Sequence, residues 1–151
     1  MLFCQKGDLL KSDCTIIMHQ ANCFKTMGAG IAKQISKKYP LANKADKLYE
    51  ASPEERFGKF TYARIRENLV IINLYGQYGF GEGLQTNYEK LDSAIDSFLK
   101  FAKEKQTFNL NKIGVPYNMG CGLAGGDWEK VKEILIRKSN KYNVDIYVYQ
   151  L

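Results

Sequence analysis

"NLVIINLYG", residues 68–76, is apolar at almost every position and ends on a glycine. It is too short for a helix of ordinary length, and its β-branched residues favour a strand. A strand apolar on both alternating sides is buried on both faces, which calls for a sheet with helices above and below it. The neighbouring segments extend that reading. Upstream, "KFTYARI" (59–65) alternates and is rich in aromatic and β-branched residues, a second strand. Earlier still, "CTIIMHQ" (14–20) is another short apolar strand, and residues 28–39 make a helix stopped near Pro40. Residues 41–51 have the composition of a second helix.

Downstream, the three glycines 79, 81 and 83 make a flexible loop. Thr86 with Glu89 three residues later has the form of a capping box for a helix running to about Lys105. Its apolar positions Leu91, Ala94, Ile95, Phe98, Leu99 and Ala102 share one helical face. "KIGVPY" (112–117) is a strand. A helix begins at Asp127 or its neighbour with Trp128, Val131, Ile134 and Leu135 inward, and "VDIYVYQ" (144–150) is the last strand. This interleaving predicts a three-layer α/β/α sandwich around a mixed, mostly parallel sheet, as one domain over residues 1–151.

Composition narrows the function classes. The chain of 151 residues is 45% hydrophobic and 25% charged, as in globular domains. No apolar run has membrane-spanning length, and "MLFCQKGDLL" lacks the layout of a secretory signal, so a cytoplasmic location and no membrane partner are expected. Cys4, Cys14, Cys23 and Cys121 form no C-x-x-C pair and His19 is the single histidine, so neither a zinc site nor any other metal or cofactor is expected. The net charge of +6 favours an anionic partner. Its lysines are spread along the chain without a zinc finger or an R-G-F-type RNA motif, which makes nucleic acid an unlikely partner and a solvated basic face the plainer reading.

Two glycine loops each follow an apolar strand and precede a helix: "HQANCFKTMGAGIA" (19–32) and "YNMGCGLAGGDWEKV" (117–131). Free N–H groups at a helix start attract phosphate oxygens, so two facing loops could hold a diphosphate. The alternative for either loop is close packing of backbone on backbone. Neither contains a P-loop, and "GAGIAK" lies too far beyond its strand for a dinucleotide turn.

Taken together, "KGDLLKSDCTIIMHQANC", "MGAGIAKQI" and "GVPYNMGCGLAGGDWEKV" resemble the macrodomain family of ADP-ribose-binding modules. The likeness is greatest to its branch of terminal ADP-ribose protein glycohydrolases and ADP-ribose-1″-phosphate phosphatases, and it covers nearly the whole chain. It implies ADP-ribose or a derivative as ligand, free or on an ADP-ribosylated macromolecule. Asp8, with Leu9, matches the acceptor for the adenine amino group; the alternative is a helix cap. Gly28, Ala29, Gly30 and Ile31 match the first ligand loop, and Gly120, Cys121, Gly122 and Leu123 the second, with Cys121 contributing backbone rather than thiol chemistry. Tyr149 and Leu151 match residues bordering the adenine, although a tyrosine in a strand also simply packs.

The catalytic part of the likeness is incomplete. The glycohydrolase branch uses a lysine after the central strand, and no lysine lies between Lys59 and Lys90. Its loop aspartate matches Ala124. What remains implies either hydrolysis of a group at the distal ribose 1″ position, with a phosphatase as the best expectation, or binding without turnover. Asn22 matches a position beside the distal ribose. Asp127 suits a base that activates water, or a helix cap. His19, at a strand end, suits proton transfer near neutral pH, or a core histidine.

Overall fold

The computed structural model describes residues 1–81 and 83–151. Glu82, within the glycine loop expected at 79–83, lies outside the described residues. Along the chain come β1 (Leu2–Lys6), a 3₁₀ turn (Leu9–Lys11), β2 (Ile16–Gln20), α1 (Gly30–Lys38), α2 (Pro40–Leu48), α3 (Pro53–Arg56) and β3 (Phe60–Arg66). Then follow β4 (Leu69–Leu74), α4 (Tyr88–Lys105), β5 (Ile113–Pro116), α5 (Trp128–Tyr142) and β6 (Ile146–Gln150). The strands form one sheet in the order β1-β6-β5-β2-β4-β3. All neighbours are parallel except β3 against β4.

The two faces of the sheet follow from the period of two along each strand. On β4, Val70, Ile72 and Leu74 point into one core with Leu91, Phe98 and Leu99 of α4 and with Val131 and Leu135 of α5. Leu69 and Ile71 point into the other, with Ile35 and Tyr39 at α1 and Ala42 of α2. β2 divides in the same way, Ile16 and Met18 on the α4–α5 side and Ile17 on the α1–α2 side. The doubly apolar run is thus the middle of a three-layer α/β/α sandwich. Among the described residues no helix is long and apolar enough to cross a membrane.

Two local departures from the sequence reading have physical causes. The cap of α4 is Asn87, whose side chain accepts from Lys90 N at 3.0 Å, not Thr86. Thr86 is still in a β-bridge with Gln77, and its hydroxyl turns inward to donate to Gly120 O at 2.6 Å, so the Thr86–Glu89 capping box does not form. The short α3, absent from the sequence reading, opens on a capping box of its own, Ser52 with Glu55, followed by Pro53 at the first helical position.

Candidate functional site

β2 and β5 lie side by side and run parallel, so their carboxyl ends emerge together. From β2 the chain turns toward α1 on one face of the sheet, and from β5 toward α5 on the other. A crevice must open between the two departing loops, the usual ligand position in such sheets. A cleft of about 610 Å³ occupies it. Asn22, Gly28, Ala29, Gly30 and Ile31 wall it on one side, and Gly120, Gly122 and Leu123 on the other. A second cavity of about 390 Å³ is lined by Asp8, Leu9, Tyr149 and Leu151 and shares Ile31, Pro116 and Tyr117 with the first. The two cavities therefore adjoin.

The glycines divide into two kinds. Gly30 (φ +56°) and Gly120 (φ +74°) sit in the left-handed region, and a Cβ on Gly120 would stand 2.9 Å from both Gln20 Oε1 and Thr86 Oγ1. Fold alone accounts for these two. Gly28 and Gly122 have no positive φ, and a Cβ on either would meet nothing within 4 Å. Neither packing nor a positive φ requires glycine there.

The backbone is ready for an anion. Gly30, Ile31 and Ala32 open α1, where the first N–H groups have no intrahelical acceptor. In the second loop Cys121 N donates to Asn118 O at 2.8 Å and Gly126 N to Gly120 O at 2.9 Å. The N–H groups of Gly120, Gly122 and Leu123 have no acceptor among the described residues. The macrodipole of α1 adds its positive end at the same place.

Behind the loops, Gln20 acts as a tie. Its Nε2 donates to Gln77 Oε1 at 3.0 Å and to Thr86 Oγ1 at 2.8 Å, and Thr86 passes the bond on to Gly120 O. One side chain of β2 thereby fixes the segment after β4 and the second glycine loop. Gln20, Gln77 and Phe80 line the cleft without having been singled out in the sequence. A polar pair ending an otherwise apolar strand, "HQ", was the available signal.

Several expected site residues are placed elsewhere. His19 is wholly buried and lines neither cavity. Strand alternation turns it toward α2, where its Nε2 meets Asn73 Oδ1 at 2.6 Å and Asn73 donates to Ala42 O. Burial holds its pKa below the ordinary imidazole value, against the weaker opposing pull of Asn73 and Asp46. It is a core histidine, and the proton-transfer role is withdrawn. Asp127 lines neither cavity and caps α5, accepting from Glu129 N at 3.0 Å. Cys121 lines neither cavity, its N–H is taken up within the loop, and burial pushes its thiol up to about 11. Asp8 accepts from Leu10 N with Oδ1 at 2.9 Å, leaving Oδ2 for a ligand. Asn22 faces the cleft, but its amide is engaged in shaping the loop, donating to Thr26 O and Oγ1 at 2.8 Å and accepting from Phe24 N at 2.8 Å.

The missing lysine has a structural counterpart. After β4, Tyr75 is buried with its hydroxyl donating to Asp46, and Gln77 is committed to Gln20 and to Gly79 O. A Cβ on Gly76 would lie 2.6 Å from Gln20 Oε1 and 2.9 Å from Leu91. Positions 75 and 76 have no room for an amine side chain reaching the cleft, and position 77, which does line it, holds an amide. Among the described residues lining the cleft there is no Asp, Glu, His or Lys.

The Macro domain family model matches residues 18–135. An uncharacterized 17.5 kDa protein in the tk-vs intergenic region of Enterobacteria phage T4 is 30% identical over 93% of this chain and 92% of its own length. The ADP-ribose 1″-phosphate phosphatase of Saccharomyces cerevisiae is 29% identical, covering 94% of this chain and 95% of that protein. The DNA ADP-ribosyl glycohydrolase of Mycobacterium tuberculosis is 28% identical over 95% of this chain, which spans 40% of that longer protein. The solved macrodomain of Mycobacterium tuberculosis DarG superposes with a TM-score of 0.79 at 25% identity over 100% of this chain and 98% of that one.

Proposed function

Because this chain belongs to the Macro domain family, we propose that it binds ADP-ribose across the two adjoining cavities and removes phosphate from ADP-ribose 1″-phosphate. The observation that carries the reading is the pair of glycines, Gly28 and Gly122, that face one cleft from opposite walls with nothing in the protein against them. The adenine lies in the smaller cavity, its amino group donating to Asp8, with Leu9, Tyr149 and Leu151 around it. The diphosphate lies between the free N–H groups of the two loops. The distal ribose then reaches Asn22.

The phosphatase is favoured over the glycohydrolase on two grounds. Among the described residues no lysine lines the cleft, and the similar phosphatase matches over nearly its whole length. In the proposed reaction water adds to phosphorus, the bond from phosphorus to the 1″ oxygen breaks, and ADP-ribose and inorganic phosphate leave. The protein's part is orientation and the stabilisation of developing negative charge by fixed N–H dipoles. A second reading, a module that holds ADP-ribose without turnover, is favoured by the uncharged lining of the cleft.

Titration calorimetry with ADP-ribose and release of phosphate from ADP-ribose 1″-phosphate test both readings on the same sample. Binding with release is expected. Binding without release leaves the reader; absence of binding overturns both.

A further inference from the structure

The second glycine loop shows the cleft one kind of backbone group and hides the other. Its carbonyls are taken up within the protein. Asn118 O accepts from Cys121 N at 2.8 Å, Gly122 O from Gly125 N at 3.1 Å, and Ala124 O from Gln85 N at 2.8 Å. Gly120 O accepts twice, from Gly126 N at 2.9 Å and from the Thr86 hydroxyl at 2.6 Å. The N–H groups of Gly120, Gly122 and Leu123 are left over among the described residues. Such a loop attracts an anion only while its carbonyls stay turned away. A peptide that flips brings an acceptor to the place where the phosphate oxygens come.

Gly120 is where a flip meets least resistance, since it lines the cleft and carries no side chain. The side chain that opposes the flip lies outside the loop. Thr86 is buried just ahead of α4 and lines neither cavity. A hydroxyl has one proton, and its neighbours decide where that proton points. Gln77 Nε2 donates to Gly79 O at 2.8 Å, which leaves its Oε1 for Gln20. Gln20 Nε2 donates to that oxygen at 3.0 Å and to Thr86 Oγ1 at 2.8 Å. With a donor already facing its oxygen, Thr86 turns its proton to Gly120 O. Donors and acceptors thus run in one direction, from Gln20 through Thr86 to the loop carbonyl.

We propose that Thr86, oriented by Gln20, is a positioning residue that makes the second glycine loop selective for anions. It holds the Gly120 carbonyl out of the cleft, so that a diphosphate meets N–H groups alone. The identity of the ligand rests on the function proposed above. What is added is that a side chain lining neither cavity decides the sign of the dipoles the loop presents.

Thr86→Val keeps the side-chain shape and removes the proton, whereas Thr86→Ser keeps the proton. Calorimetry with ADP-ribose and chemical-shift titration with adenosine, which carries no phosphate, compare them. Thr86→Val is expected to weaken ADP-ribose binding about tenfold, as loss of one orienting hydrogen bond does, with adenosine affinity kept within about twofold. Thr86→Ser is expected to bind ADP-ribose within about twofold of wild type. Gln20→Met, which frees the Thr86 hydroxyl to turn, gives the same pattern at about threefold and carries the test should Thr86→Val not fold. Equal losses for both ligands overturn the positioning role, because a general distortion does that. So does Thr86→Ser binding as weakly as Thr86→Val. Wild-type binding of ADP-ribose that Thr86→Val leaves unchanged overturns this inference alone. No ADP-ribose binding by the wild type overturns the proposed function and this inference with it.

Discussion

Replacing Gly122 by alanine separates ligand binding from stability. Its φ lies outside the left-handed region, and the new Cβ meets no protein atom within 4 Å. In the free protein the substitution therefore costs nothing in packing. It removes backbone freedom from the unfolded chain, which stabilises by about 0.4–1 kcal/mol. For a domain of this size that is a rise of roughly 1–4 °C in melting temperature. In the complex the methyl group stands where the ligand approaches the Gly122 N–H. Overpacking there costs about 1–3 kcal/mol, roughly 5- to 150-fold in affinity. Opposite signs are thus expected from one methyl group: a higher melting temperature by scanning calorimetry and weaker ADP-ribose binding by titration. Gly28→Ala on the facing wall is expected to do the same, for the same reason. Gly120→Ala is the contrast, because its φ of +74° and the 2.9 Å approach to Gln20 Oε1 predict loss of both stability and binding. Unchanged affinity in Gly28→Ala and Gly122→Ala would refute the close-approach reasoning.

Three further outcomes are expected. Asp127→Ala removes the cap of α5, costing about 1 kcal/mol and roughly 2–4 °C, with phosphate release unchanged; lost turnover at an intact melting temperature would return Asp127 to the chemistry. His19 is buried and its pKa held below its ordinary 6.5, so the unfolded chain takes up a proton first; its contribution to stability is complete above about 6.5 and is lost as pH falls below it. Urea titrations against pH should show that slope flattened in His19→Gln. Arg56→Met leaves Asp46 fully buried without its ion-pair partner, and a loss of about 3–5 kcal/mol is expected in urea unfolding; a loss under about 1 kcal/mol would refute a stabilising role for the pair.

The layered fold was legible because burial on both faces leaves a mark that one segment carries alone, as in residues 69–74. The position of the site was legible in part. Both glycine loops could be recognised, but their adjacency depends on β5 lying beside β2, a pairing of residues almost 100 positions apart that no local pattern records. Which glycines answer to the fold and which to a ligand was hidden for the same reason, since Gly120 owes its constraint to Gln20 and Thr86. His19 illustrates a different limit. Its place at the end of β2 was clear, yet the layer it enters depends on strand alternation relative to helices not yet assembled. Thr86 failed as a cap because a long-range bond to Gly120 outcompeted a local one.

The cleft draws its polarity from topology more than from side chains. Two adjacent parallel strands send their chains to opposite faces of the sheet, and the N–H groups left unsatisfied at those turns are what a diphosphate needs. In the proposed complex the diphosphate is held by main chain, since among the described residues no Asp, Glu, His or Lys lines the cleft, and binding there does not call for a lysine. The same property restricts the chemistry. At the distal end Asn22 is bonded to Thr26 and Phe24, and Gln20 to Gln77 and Thr86, so the polar groups are already fixed and none of them ionises. In the proposed reaction, these described residues act through held geometry and fixed dipoles.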